Sequence, residues 1–134
     1  MSVWSASDIP SQRGRCTVVT GTGGLGYEDA LALARSGGEV IIAGRNPSKG
    51  ANAVARIRSR QPDANVRFEL LDLADIQSVR AFGYRLRAER ESLDLLINNA
   101  AVMTPPTRQV TPDGFELQFG TNYLGHFALT AELL

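Results

Sequence analysis

The chain has 134 residues, 43% of them apolar and 21% charged, enough for one domain with a real core or for part of one. Fourteen basic residues balance fourteen acidic ones, so no charge excess points to nucleic acid or an anionic membrane as partner. All the basic residues but Lys49 are arginines. The lone Cys16 has no partner for an internal disulfide and reads as a small apolar strand residue. The N-terminal stretch MSVWSASDIPSQRGR lacks the apolar segment of a signal peptide. No apolar run approaches the ~18 residues of a membrane span. The default expectation is a cytoplasmic protein, with no metal site.

In chain order, short apolar runs alternate with longer amphipathic ones after an N-terminal extension over 1–14. Cys16–Thr20 reads as a first strand, and Leu25–Arg35 as a helix stopped by Gly37-Gly38. Val40–Ala43 is a second strand. Asn46 caps the next helix, with Pro47 at its first position, and that helix runs to about Ser59. Val66–Leu71 is a third strand. Asp75 caps a third helix over Ile76–Glu89. Leu93–Asn98 is a fourth strand. A proline-bearing loop follows over Ala101–Pro112, and then a largely apolar helix from Gly114 to Leu134. This βαβαβαβα order predicts a Rossmann-like, doubly wound parallel sheet with strand order 3-2-1-4, incomplete relative to a full domain. Ligands bind such sheets at the switch point between the first and fourth strands.

Gly21-Thr22-Gly23-Gly24-Leu25-Gly26 matches G-x-G-x-x-G between a strand and a helix. A helix N-terminus leaves amide N–H groups unpaired and partially positive, and glycines let a diphosphate approach them. At the end of the second strand, where NAD-binding proteins place a carboxylate for the ribose, stands Arg45. A guanidinium there favours a 2′-phosphate and therefore NADP(H) over NAD(H). The alternative is a solvated surface arginine.

With TGTGGLGYEDA, AGRN, LLDLAD, DLLINNAAVM and DGFELQFGTNYLGHFALT in order, the chain resembles the N-terminal portion of the short-chain dehydrogenase/reductase family, closest to its retinol-dehydrogenase-like and WW-domain-oxidoreductase-like branch. The resemblance implies roles residue by residue. Asp72 would bond the adenine amino group, with Leu73 beside it. Asn98, Asn99 and Ala100 would form the N-N-A-G element that supports the sheet and lines the cofactor ribose. Asn122 would be the asparagine of the catalytic Asn-Ser-Tyr-Lys set, acting through its backbone. His126 is expected to be structural. Tyr123, Leu124, Phe127 and Leu133 are expected in the core or between subunits, since the family often packs this helix in a homo-oligomer.

Three departures from the family pattern stand out. The glycine loop is one residue short of T-G-x-x-x-G-x-G, so either it is tighter or Gly23 faces the phosphate. Ala101 replaces the glycine of N-N-A-G, which crowds the ribose or costs little if its φ is negative. Tyr27, Tyr84 and Tyr123 are followed four residues later by Leu31, Ala88 and Phe127, so the chain has no Tyr-x-x-x-Lys. Two functions follow as expectations. One is an NAD(P)-dependent oxidoreductase acting on an alcohol or carbonyl compound, these 134 residues being inactive alone. The other is a non-catalytic nucleotide- or partner-binding module. The fourth strand is expected to form an open edge.

Overall fold

The computed structural model describes residues 3–134; Met1 and Ser2, the start of the N-terminal extension, lie outside the described residues. Four parallel strands form one sheet: β1 (Cys16–Thr20), β2 (Glu39–Gly44), β3 (Val66–Leu70) and β4 (Leu95–Ile97). Their order is β3-β2-β1-β4, as the alternation of elements requires. The register pairs Val18 with Ile41 and Leu96, and Ile41 with Arg67.

Side chains alternate across the pleat, so each strand feeds two cores. Val19, Val40 and Ile42 pack under α1 (Gly24–Arg35) and α2 (Pro47–Arg60), against Tyr27, Leu31 and Ile57. Cys16, Val18, Ile41 and Ala43 face the other way. They meet Val79, Phe82 and Leu86 of α3 (Ile76–Glu89) and Leu129 of α4 (His126–Leu133). Both faces are thus covered, the condition under which a parallel sheet is stable.

The helix ends follow from local chemistry. Asn46 Oδ1 accepts from the Lys49 N–H at 3.0 Å, and Pro47 opens α2. Asp75 Oδ1 accepts from the Gln77 N–H at 2.9 Å to start α3. α1 ends in a Schellman motif: the Gly38 N–H bonds the Leu33 carbonyl at 3.1 Å and the Gly37 N–H bonds that of Ala34 at 3.0 Å.

Most element ends fall within a residue of the sequence expectation, and two elements differ by more. The fourth strand spans only Leu95–Ile97 rather than Leu93–Asn98. At its start the Asp94 carboxylate accepts from the Cys16 N–H at 2.8 Å. At its end the Thr20 hydroxyl accepts the Asn99 and Ala100 N–H groups at 2.9 and 3.0 Å. Side chains therefore satisfy the backbone where ladder bonds would have continued. The last helix begins not at Gly114 but at residue 117. Gly114 has φ +87°, a left-handed value that helices do not use, and a turn closed by Thr111 N–H to the Phe115 carbonyl at 2.7 Å precedes it. Within the helix, Phe119–Gly125 is π-helical before α4 continues.

Candidate functional site

The C-terminal ends of β1, β2 and β4 open onto a cleft of about 390 Å³. Of the glycine-loop residues, Gly21, Thr22 and Gly23 line it, while Gly24, Leu25 and Gly26 do not. Gly21 takes φ +100°, turning the chain sharply as β1 ends. Gly23 is the N-cap of α1 and provides no side chain to bond the first helical amides. A methyl group built on Gly23 or Gly24 would meet nothing within 4 Å. The first turn of α1 thus presents uncapped amides beside open space. In the short loop it is Gly23, not a later glycine of the motif, that faces the cleft.

Gly26 has a different task. A Cβ there, or one on Gly21, would run into the Asn99 carboxamide. Asn99 Nδ2 donates to the Thr20 carbonyl at 3.0 Å and the Asn99 N–H to the Thr20 hydroxyl. The two outer glycines therefore make room for an asparagine that ties the end of β4 to the end of β1. Asn99 and Ala100 both line the cleft; Asn98 instead donates toward the Thr130 hydroxyl at 3.3 Å. Thr104 alone among the described non-glycine residues has positive φ, so the Ala101 methyl sits on ordinary backbone.

Arg45 and Lys49 stand together on the β2 side of the cleft, both exposed and neither in an ion pair among the described residues. Lys49 was missed by sequence reasoning, which placed it only within the second helix. The signal was available: it lies four residues after Arg45, in the first turn of a helix whose N-cap follows Arg45 directly. On the far side, Asp72 and Leu73 line the cleft. Asp72 Oδ1 accepts from the Ala74 N–H at 2.9 Å and the Asp72 N–H donates to the Ser78 hydroxyl at 2.9 Å. This holds the carboxylate in place with its second oxygen available.

Asn122 sits in the π-helical turn. Its Oδ1 accepts from the Val102 N–H and its Nδ2 donates to the Val102 carbonyl, both at 2.8 Å. The side chain is a clamp on the proline-bearing loop. Its backbone carbonyl accepts from His126 Nδ1 at 2.9 Å. His126 is buried, as a structural histidine should be, and its Nε2 meets the Thr20 hydroxyl at 2.9 Å. Thr121, next to Asn122, also lines the cleft and was not anticipated; its buried hydroxyl has no partner among the described residues. Tyr123 and Phe127, expected in a core or between subunits, are 59% and 67% exposed and so lie outside this core. Among the described residues no group of His, Cys, Asp or Glu is arranged to hold a metal, and no helix is long and apolar enough to cross a membrane.

These residues fit an adenosine-diphosphate group. Uncapped helix amides and open space at Gly23 suit a diphosphate, two free cations suit a further phosphate, and an anchored carboxylate suits an exocyclic amine.

Comparison with known proteins identifies the family. Retinol dehydrogenase 13 of Mus musculus is 48% identical over 131 residues, covering 97% of this chain and 38% of that protein. Polyprenol dehydrogenase of Danio rerio is 48% identical over 128 residues, covering 95% of this chain and 39% of that one. The chain thus spans about two fifths of the length of these relatives. A crystal structure of a Mycobacterium paratuberculosis protein superimposes with TM-score 0.83 at 44% identity, covering 98% of this chain and 46% of the other. The family model for short chain dehydrogenases matches residues 15–134, and the chain belongs to that family of NAD(P)-using oxidoreductases.

Proposed function

We propose that this chain is the adenosine-diphosphate-binding part of an NADP(H)-dependent short-chain oxidoreductase acting on an alcohol or carbonyl compound. The retinol and polyprenol in its relatives' names are examples of such substrates. The observation that carries the reading is the pairing of Arg45 with Lys49 at one end of the cleft whose other walls are the glycine loop and Asp72. A 2′-phosphate brings about two negative charges, and two free cations in reach of it favour it over a bare hydroxyl. The α1 amides at Gly23 would hold the diphosphate, Asp72 the adenine amine, and Asn99 and Ala100 the ribose-side wall. The bound dinucleotide supplies hydride chemistry. This chain's residues bind and orient it. Lacking Tyr-x-x-x-Lys, these 134 residues alone bind without turning over substrate.

The test is a titration of the chain with 2′,5′-ADP and with 5′-ADP. The 2′,5′-ADP should bind at least about tenfold more tightly, equivalent to ~1.4 kcal/mol. Arg45→Asp should erase the difference, and Lys49→Ala should reduce it. Equal affinity for the two nucleotides would overturn the preference for NADP(H). Binding of neither would overturn the nucleotide reading.

A further inference from the structure

The hydrogen bonds around Thr20 leave little freedom to the only histidine. The Thr20 hydroxyl has one proton and two lone pairs. The Asn99 and Ala100 N–H groups, at 2.9 and 3.0 Å, fill the lone pairs. The hydroxyl must therefore act as a donor to its remaining neighbours. These are His126 Nε2 at 2.9 Å and the Ile97 carbonyl at 3.3 Å, and the shorter contact is the histidine. Nε2 is then a bare acceptor. At the other ring nitrogen, the Asn122 carbonyl can only accept, so Nδ1 must carry the proton across its 2.9 Å contact. Two arguments from opposite sides of the ring thus select the same neutral form, protonated at Nδ1.

The backbone is arranged for this. The His126 N–H bonds the Tyr123 carbonyl, so in the π-helical turn it does not take up the Asn122 carbonyl as an α-helical bond would. The His126 carbonyl in turn accepts from the Thr130 hydroxyl at 2.8 Å.

We infer that His126 is a positioning residue. As the Nδ1–H imidazole it turns the Thr20 hydroxyl so that both lone pairs face Asn99 and Ala100, and at the same time it holds the Asn122 carbonyl. One buried ring thereby joins the ribose-side wall of the cleft to the residue that resembles the catalytic asparagine. The functional part of this inference rests on the nucleotide-binding reading above.

Because His126 is the only histidine, a long-range ¹H–¹⁵N spectrum of the intact chain shows its tautomer without assignment. The expected spectrum has a protonated Nδ1 and a bare, pyridine-like Nε2. The Nε2–H form, or averaged nitrogen shifts at neutral pH, would overturn the inference. Variants separate the two contacts. His126→Gln keeps a group at the position of Nε2, His126→Asn keeps one at Nδ1, and His126→Phe keeps neither. His126→Phe should shift the Asn99 and Ala100 amide resonances and weaken 2′,5′-ADP binding about three- to tenfold, the worth of a hydrogen bond or two. His126→Gln should restore both readouts and His126→Asn should not. Unmoved amides in His126→Phe, or equal rescue by Gln and Asn, would overturn it. Should His126→Phe fail to fold, the wild-type tautomer and the Gln/Asn comparison still decide. A wild-type chain that binds no 2′,5′-ADP refutes the nucleotide reading, while the tautomer and amide shifts judge the histidine independently.

Discussion

Two glycines three residues apart in the same loop do opposite things. Gly26 is buried against the Asn99 carboxamide, whereas Gly23 has extended backbone and empty space where a side chain would be. Gly26→Ala should cost about 1–3 kcal/mol, as an overpacked site does, and should lower the thermal midpoint through the displaced Asn99. Gly23→Ala should cost less than about 1 kcal/mol, the loss of a tolerable N-cap, yet weaken 2′,5′-ADP binding by about tenfold because the methyl enters the cleft. Comparing unfolding with titration for the two variants separates loop architecture from ligand contact; equal effects in both assays would refute the division. Cys16 offers another residue-scale check. Burial on β1 is the main cause that pushes its thiol above the ordinary value, so the reactive thiolate is scarcer still. Labelling by a thiol reagent at neutral pH should be slow in the native chain and rise steeply in denaturant, following the unfolding transition seen by circular dichroism.

The helix spanning residues 117–133 shows what pattern reading reaches and where it stops. The Asn46 and Asp75 caps, the Gly37-Gly38 stop and the apolar strands were all legible because each depends on neighbours a few residues away. The early end of β4 was not, since the hydroxyl that ends it belongs to Thr20, 79 residues distant in sequence from Asn99. The docking of this helix was illegible for a similar reason: Gly125 lies so close to the Leu73 carbonyl that no side chain fits, and only the fold brings those residues together. In the site, Arg45 could be placed by its position after the second strand and Asp72 through the family resemblance, and Lys49 was within reach too, four residues after Arg45 in the first turn of a helix whose cap was legible. Gly125→Ala should therefore lift this helix from the loop after β3 and lower stability by about 2–3 kcal/mol in a denaturant titration. The start of the same helix carries a pH signature. The Gln118 and Phe119 N–H groups, bonded to the Glu116 carboxylate at 2.9 and 2.8 Å, hold this carboxyl below its ordinary value. A folded value below the unfolded one contributes stability that is present above the unfolded value and lost as pH falls through the folded one. Replacing Glu116 by Gln should remove that part of the acid dependence. The wild-type advantage over the variant should be present at neutral pH and absent in strong acid.

At the scale of the whole molecule, the surface beyond the cleft is unevenly polar. Phe119, Tyr123 and Phe127 follow one another at intervals of four, and each has more than half its surface exposed. The first two rings stack with centroids 5.4 Å apart. Among the described residues β4 forms an edge of the sheet, paired only with β1, and its three residues are half-buried. An exposed apolar patch and an unpaired strand edge are each features that drive association between chains. Dispersed charge elsewhere does not oppose it, because the formal net charge is zero. The chain should therefore self-associate in a concentration-dependent way in sedimentation velocity. Phe127→Glu combined with Phe119→Ser should shift it toward monomer without loss of helical signal, because neither side chain contributes to the two buried cores. Nucleotide binding separates this surface from the site. The three aromatic residues do not line the cleft, so the double variant should retain wild-type affinity for 2′,5′-ADP. A variant that becomes monomeric but loses the nucleotide would mean that association itself completes the cleft.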